Sequence, residues 1–209
     1  MKTFLLVTII AFSNLLFGKE VHLLNHQTIC TGKYSKGAIL RKDLAFVDDF
    51  LTLHSLLRMV NPASVFEIGT CTGEGTLIIK NAVGNSTVYS LELPLEESTY
   101  DIRIVGKACT LPYVQLIGNS LTTNYSAYYP IEAWFIDGAH QYSYVLHETK
   151  QALLSHPKII IWHDADIPEV FDAICTGLNS EDNYALFRVS DTRIAFAVPI
   201  TSPIMRFIQ

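Results

Sequence analysis

The sequence has few charged side chains, and those present form no basic stripe. Charged residues make up 17% of its 209 residues, and the formal net charge is -5. Because binding to nucleic-acid phosphates needs clustered lysine and arginine, this balance argues against a general nucleic-acid-binding protein. Hydrophobic residues make up 49% of the chain, which argues against extensive disorder and predicts one sizeable core.

Cysteine is scarce as well, and its spacing has no metal-binding pattern. The four cysteines lie far apart, with no CxxC pair: Cys30, Cys71, Cys109 and Cys175. A zinc cluster is therefore unsupported. We expect these residues to be small apolar side chains in or near the core. If the chain is exported, disulfides become an option, with no pairing indicated by the sequence.

The N-terminal apolar stretch is short for a stable membrane span. Residues 4–18 are mostly apolar, follow Lys2, and are interrupted by Ser13 and Asn14. This layout is typical of a secretory signal peptide. We predict a leader over residues 1–18 and one domain over residues 19–209, in a secreted or periplasmic protein. The alternative is a retained N-terminal hydrophobic helix on a cytoplasmic or membrane-associated protein.

Short apolar segments alternate with helical patterns along the rest of the chain. The predicted parallel strands are Ser64–Ile68, Thr87–Glu92, Val114–Ile117, Ala133–Ile136 and Ile159–Trp162. Helices are predicted over residues 43–59, 75–81, 98–109, 142–154 and 168–178, whereas residues 22–42 form an irregular lead-in. Residues 184–189 and 193–198 predict an antiparallel hairpin. The fold class is α/β, a doubly wound, mostly parallel, seven-stranded Rossmann-like sheet closed by that hairpin.

Glycines follow the first predicted strand in a pattern that predicts a ligand-binding loop. Residues 67–75 have the pattern ExGxxxGxG, in which glycine lets a ligand approach the main chain. The spacing differs from the GxGxxG of dinucleotide-binding proteins, which disfavours a nicotinamide-dependent oxidoreductase. An acid beside the loop suits a cationic or amine-bearing ligand, such as S-adenosylmethionine, better than a pyrophosphate.

Polar residues follow the other strands at the edge where open α/β sheets bind ligands. Glu92 ends the second strand and suits a bidentate hydrogen bond to ribose hydroxyls. Asn119 and Ser120 follow the third strand and are able to reach a base edge. Two richer polar segments follow the fourth and fifth strands, at residues 137–142 and 163–166.

Together these segments resemble the class I S-adenosylmethionine-dependent methyltransferases. The glycine loop, Glu92 and the closing hairpin carry the general likeness. The DGxHxY segment at residues 137–142 and the later Trp162-His163-Asp164 are similar to cation-dependent O-methyltransferases of small molecules. The likeness covers residues 43–198.

The resemblance implies roles for individual residues. The residues implied to contact S-adenosylmethionine are Glu67, Gly69, Thr70, Gly73, Glu92, Leu93, Asn119, Ser120 and Asp137. The ligands implied for a divalent cation, Mg²⁺ or another, are Asp137, His163 and Asp164. His163 stands where these relatives usually carry an acid, and imidazole favours softer ions than Mg²⁺. His140 is the candidate general base, and Asp137 is the second candidate catalytic residue.

Several of these assignments have a plainer alternative. The role of His140 could be limited to a hydrogen bond that shapes its loop, and Asp137 could cap the following helix. His163 and Asp164 could be a satisfied pair after a buried strand. Five tyrosines could form an acceptor pocket or pack in the core: Tyr125, Tyr128, Tyr129, Tyr142 and Tyr144.

The activity implied is methyl transfer to oxygen in a small-molecule acceptor. The alternative is a catalytically inactive binding protein that keeps the fold and a nucleoside pocket. Beyond the acceptor, a second copy of the chain in a homo-oligomer is the partner considered. No nucleic-acid partner and no stable membrane span are expected.

Overall fold

The structure is a computed structural model that describes residues 10–12, 19–30, 33, 47–94, 96–97 and 104–208. In this part of the chain, the strands are β1 (Ile10–Phe12), β2 (Val21–Asn25), β3 (Ser64–Ile68), β4 (Thr87–Glu92), β5 (Val114–Ile117), β6 (Ala133–Ile136), β7 (Ile159–Trp162), β8 (Tyr184–Ser190) and β9 (Ala195–Pro199). The helices are α1 (His26–Ile29), α2 (Val47–Val60), α3 (Glu74–Val83), α4 (Tyr142–Leu154), α5 (Pro168–Leu178) and α6 (Met205–Ile208), with a 3-10 turn at Tyr125–Tyr128.

All nine of these strands form one sheet in the order β1-β2-β8-β9-β7-β6-β3-β4-β5. Strands β3 to β7 run parallel to one another, and β9 runs antiparallel to both β7 and β8. The predicted seven-stranded, mostly parallel sheet with a closing hairpin is confirmed. The five parallel strands have the predicted bounds. Strands β6 and β7 are buried throughout, and such strands stand out in a sequence as short continuous apolar runs.

Helices cover both faces of the sheet, so adjacent residues of one strand enter different cores. Val65 packs in the core beneath α2 and α3, whereas Phe66 packs in the core beneath α4 and α5. Cys175 is buried in the second core, and Cys30 packs against the first. For these two cysteines the expected apolar role is confirmed, whereas Cys71 lines the cavity described below.

The N-terminal part differs from the prediction of an irregular lead-in. Strand β2 pairs in parallel with β8, and β1 pairs antiparallel with β2, so the sheet extends beyond seven strands. Most of the predicted leader lies outside the described residues, as do residues 34–46. In the part that the structure describes, no helix is long and apolar enough to cross a membrane.

The helix predicted over residues 98–109 is not formed in its described part. Ile104 has a 3-10 conformation and residues 105–108 form turns instead, and Gly106 has a φ of 68°. The Gly106 N–H donates to Cys71 O at 2.9 Å, and the Ala108 N–H donates to Thr72 O at 2.8 Å. These bonds attach the segment to the glycine loop, so a tertiary contact overrides the local helical pattern. Residues 98–103 lie outside the described part.

Candidate functional site

A cavity of about 510 Å³ opens at the carboxyl ends of the five parallel strands. Its walls come from the loops that follow these strands. Backbone hydrogen bonds hold the strand ends together: the Gly69 N–H donates to Leu91 O, and the Asp137 N–H donates to Ile68 O. The volume is in the range of small-molecule and cofactor sites in proteins.

The cavity brings together most of the residues predicted to bind a cofactor. Six of the nine line it: Gly69, Thr70, Glu92, Leu93, Ser120 and Asp137. The other three, Glu67, Gly73 and Asn119, lie outside the lining. Each of these three has a structural role that explains its position.

Glu67 lies beneath the glycine loop and has no exposed surface. Its Oε2 accepts hydrogen bonds of 2.5 Å from the hydroxyls of Thr76 and Ser90. Burial raises the pKa of Glu67 to about 8, although these two hydrogen bonds oppose the shift. A Cβ atom on Gly75 would lie 2.7 Å from Glu67 Oε1, so the helix start packs directly on this carboxyl group. Glu67 therefore packs beneath the loop. It has no exposed surface with which to make the expected direct contact with a cofactor.

Gly69 and Gly73 are required by the path of the loop. Their φ angles are 97° and 88°, which side chains other than hydrogen strongly disfavour. A Cβ atom on Gly69 would lie 2.1 Å from Asp137 O, and one on Gly73 would lie 2.7 Å from Gly106 Cα. Gly69 thus lets two strand ends approach each other beside the cavity, while Gly73 packs against the turn behind the loop.

Asn119 is occupied within its own loop. Its Nδ2 donates to Glu97 Oε2 at 2.7 Å, and its Oδ1 accepts from the Leu121 N–H at 2.9 Å. Its neighbours Gly118 and Ser120 are the residues of this loop that line the cavity.

Glu92 presents a fixed carboxylate to the cavity at the end of β4. Its Oε2 accepts from the Cys71 N–H at 2.6 Å, and its Oε1 accepts from the Leu93 N–H at 2.9 Å. A carboxylate oxygen can accept a second hydrogen bond, so both atoms retain capacity for a ligand.

His163, after β7, is the centre of a network of carboxylates. Its Nε2 lies 3.0 Å from Asp49 Oδ2. Its Nδ1 lies 3.2 Å from Asp137 Oδ1 and 3.1 Å from Asp164 Oδ1. Burial favours the neutral ring, but these three nearby acids raise the pKa of His163 to about 12. Both ring nitrogens therefore face carboxylates, an arrangement that favours the imidazolium.

Asp164 contacts two further basic side chains, those of His140 and Arg193. Its Oδ2 lies 2.5 Å from His140 Nε2, and its Oδ1 lies 2.5 Å from Arg193 Nη2. Burial would raise its pKa, but the basic groups around it hold the pKa of Asp164 below the ordinary value. Its φ of 55° is uncommon for a residue other than glycine, and such backbone strain is concentrated at functional sites.

The pKa of Asp137 is displaced in the opposite direction. Burial and the nearby charge of Asp164 raise it above the ordinary value, more than the neighbouring His163 lowers it. Asp137 lines the cavity at the end of β6, between the glycine loop and His163.

Two members of this network, Asp49 and Arg193, were not among the predicted site residues. The sequence pattern places Asp49 on the polar side of α2, but the residue is 4% exposed and faces the sheet edge. Its Oδ1 accepts the Arg193 N–H at 3.0 Å. The signal that could have identified Asp49 is its spacing, because it shares a helical face with Leu53 and Leu56. Arg193 has no such signal, since only the pairing of the final hairpin brings it to the site.

The three expected metal ligands meet, but their ligand atoms already lie beside oppositely charged or basic partners. One atom from each of Asp137, His163 and Asp164 lies within 4.8 Å of the others. Both ring nitrogens of His163 face carboxylates, and both oxygens of Asp164 face basic side chains. A divalent ion would have to displace these partners. The donor set as it is formed does not fit such an ion.

The outer part of the cavity is aromatic and basic. His140 is 56% exposed there, and Phe50, Tyr144 and Arg193 also contribute to the wall. Tyr144 is the one of the five singled-out tyrosines that lines the cavity, whereas Tyr125 is buried in the core.

Solved structures share this architecture, although the sequence matches no protein-family model and no curated protein. An O-methyltransferase from Bacillus cereus in complex with SAH has 17% identity and a TM-score of 0.56, over 82% of this chain and 90% of that one. The SAH-bound methyltransferase PaMTH1 from Podospora anserina has 14% identity and a TM-score of 0.57, over 75% and 80%. The O-methyltransferase TomG from Streptomyces achromogenes in complex with SAM has 15% identity and a TM-score of 0.52, over 81% and 89%. This chain has their fold.

Proposed function

We propose that this protein is an S-adenosylmethionine-dependent methyltransferase that acts on an oxygen atom of a small molecule. The observation that carries the proposal is the cavity. A glycine loop, the fixed carboxylate of Glu92 and the exposed ring of His140 open onto one space. The SAH and SAM held by the similar structures support a nucleoside cofactor of this kind.

The residues of the cavity wall suit the parts of such a cofactor. Glu92 would accept the two ribose hydroxyls, since both of its oxygens are fixed and retain acceptor capacity. Gly69 and Thr70 would lie beside the methionine portion, and Ser120 would lie beside the base. The cofactor supplies an activated methyl group on a sulfonium.

His140 is the proposed general base. With its Nε2–H held by Asp164, its Nδ1 carries the lone pair that would take the proton of the acceptor hydroxyl. The acceptor oxygen would form its bond to the methyl carbon while the carbon–sulfur bond broke, with the bonding pair staying on sulfur. Asp164 would stabilise the imidazolium that forms, and the remaining contribution of the protein is alignment of the two reactants.

We further propose that methyl transfer here needs no divalent cation. His163 and Arg193 already place two positive charges against Asp164, where an ion would otherwise bind. The network therefore keeps Asp164 ionised and holds His140 without a metal.

Transfer of a labelled methyl group to a panel of catechol-like hydroxyl compounds, with a chelator present, tests this proposal. We expect product in chelator and a kcat about 10²- to 10⁴-fold lower for His140→Ala. The control His147→Ala changes a histidine outside the cavity wall and should keep its activity. A requirement for added divalent ion would reject the metal-free mechanism, and an unaffected His140→Ala would reject the base. Cofactor binding with no turnover of any acceptor would favour the inactive binding protein.

A further inference from the structure

A second cavity of about 510 Å³ opens at the amino ends of β4 and β5, on the edge of the sheet opposite the first cavity. Its wall includes Lys80, from the last turn of α3, and Tyr113 and Val114, where β5 begins. Among the described residues, none lines both cavities. The proposed methyl transfer therefore leaves this second cavity without a role.

Lys80 places a buried ammonium group in the wall of this second cavity. The residue is 6% exposed, and its Nζ donates to Ser86 O at 2.9 Å. This bond uses one of three N–H donors, and Lys80 makes no ion pair with a described carboxylate. The neutral carbonyl and the partial negative charge at the end of α3 compensate the ammonium only in part. A buried charge of this kind calls for an anionic partner.

Two hydroxyl groups of the wall have their protons engaged away from the cavity. The Tyr113 hydroxyl donates to Gln115 Oε1 at 2.9 Å, and the Ser86 hydroxyl donates to Pro62 O at 2.7 Å. Lys80 is also the one cationic side chain among the described residues of the wall. The cavity can therefore compensate one negative charge, and a dianion such as phosphate would keep a charge uncompensated.

The same wall carries apolar side chains that the chain itself does not cover. Leu111 is 36% exposed and Val114 is 43% exposed, and Pro112 joins them in the lining. Exposed apolar surface beside a buried charge is typical of a binding site rather than of a solvated face. The combination suits a ligand that has one anionic group and an apolar body.

We propose that this second cavity binds a small monocarboxylate with an apolar body, and that the ammonium group of Lys80 anchors the carboxylate. The carboxylate would accept the two N–H groups that the bond to Ser86 leaves unused. The apolar body would cover Leu111 and Val114. The site does not depend on the proposed methyl transfer, because the cavities share no described lining residue.

Titration of the isotope-labelled, intact protein with hexanoate, followed by the NMR signals of its backbone amides, tests the inference. We expect hexanoate to shift the signals of Ser86, Thr87 and Val114, with a Kd of about 1 mM for a ligand of this size. The uncharged analogue hexanamide should bind at least about tenfold more weakly, because a charge-assisted hydrogen bond is lost. Equal affinities for the two probes, or shifts confined to the first cavity, would overturn the inference. Inorganic phosphate that binds here more tightly than hexanoate would overturn the carboxylate class.

Lys80→Met should remove the preference for hexanoate over hexanamide, since it keeps the apolar stem and loses the charge. Lys107→Met is the matched control, because Lys107 is exposed and lies outside the wall. It should keep the preference of the intact protein. A folded Lys80→Met variant with an unchanged preference would contradict the proposed anchor.

If Lys80→Met does not fold, Val114→Glu decides instead. Val114 is 43% exposed, so the substitution adds a negative charge to the wall without disturbing the core. Hexanoate binding should weaken by at least about threefold relative to hexanamide binding, because like charges repel. An unchanged ratio of the two affinities would overturn the inference.

Discussion

At the residue scale, Glu67 and Glu148 are buried acids whose neighbours are hydroxyl groups rather than cations. Hydroxyls from Thr76 and Ser90 reach Glu67, and the Ser120 hydroxyl approaches Glu148. Burial raises the pKa of these two acids to about 8 and about 7. Near neutral pH the folded chain therefore binds protons that an unfolded chain has released.

Substitution of Glu67 should change how stability depends on pH. Between its ordinary pKa of 4.5 and its folded value of about 8, the folded state holds the proton while the unfolded state has lost it. The stability linked to this proton is complete below that window and is lost as the pH rises through it, with a slope of up to about 1.4 kcal/mol per pH unit. The Glu67→Gln variant has no titrating group at this position. Its free energy of unfolding should therefore increase, relative to that of the unsubstituted protein, as the pH rises from about 5 to about 8. If chemical denaturation gave the same dependence of unfolding free energy on pH for both proteins, the result would contradict this ionisation of Glu67.

At the scale of elements, the His163 network joins parts of the chain that lie far apart in sequence. Helix α2 contributes Asp49, the ends of β6 and β7 contribute Asp137 and Asp164, and the final hairpin contributes Arg193. The network therefore fixes a helix and the hairpin turn to the same edge of the sheet. Acids and basic groups alternate in it, so removal of one partner leaves a neighbouring buried charge with less compensation.

Asp49→Asn should be markedly destabilising, and the adjacent acid provides the control. Asp49 is 4% exposed and accepts from both the His163 ring and the Arg193 N–H, so loss of its charge leaves a buried imidazolium with one acid fewer. We expect a loss of about 1–3 kcal/mol in the free energy of unfolding. Asp48→Asn removes the charge of a side chain that is 58% exposed and lies 3.8 Å from His26. It should lower the free energy of unfolding by no more than about 0.5 kcal/mol. Equal losses for the two variants in urea denaturation would contradict the role given to Asp49.

At the scale of the whole molecule, the sequence predicts the central sheet well and its periphery poorly. Strands β3 to β7 are short apolar runs between polar turns, a signal that depends only on local sequence. Strand β2 has no clean alternation of buried and exposed residues, and its pairing with β8 spans most of the chain. Long-range pairing of this kind leaves little trace in local sequence.

The same division applies to the site. Glu92, Asp137 and His140 could be predicted because they directly follow strands whose ends must meet. Arg193 and Glu148 could not, since a hairpin pairing and the packing of α4 bring them to the cavity. The buried position of Glu67 was missed for a related reason. Its side chain points into the sheet's own packing, a direction that the glycine pattern alone does not specify.

Binding of the adenosyl ligand is the most direct test of the account. Calorimetric titration of the intact protein with S-adenosylhomocysteine should show one site, and Glu92→Ala should weaken binding by at least about tenfold, because a fixed acceptor for two hydroxyls is lost. Glu132→Ala is the matched control. Glu132 also accepts a backbone N–H, from Ala63 at 2.7 Å, but lies outside the cavity wall, so its variant should bind as the intact protein does. No binding to the folded, intact protein, or equal binding by Glu92→Ala, would contradict the central claim.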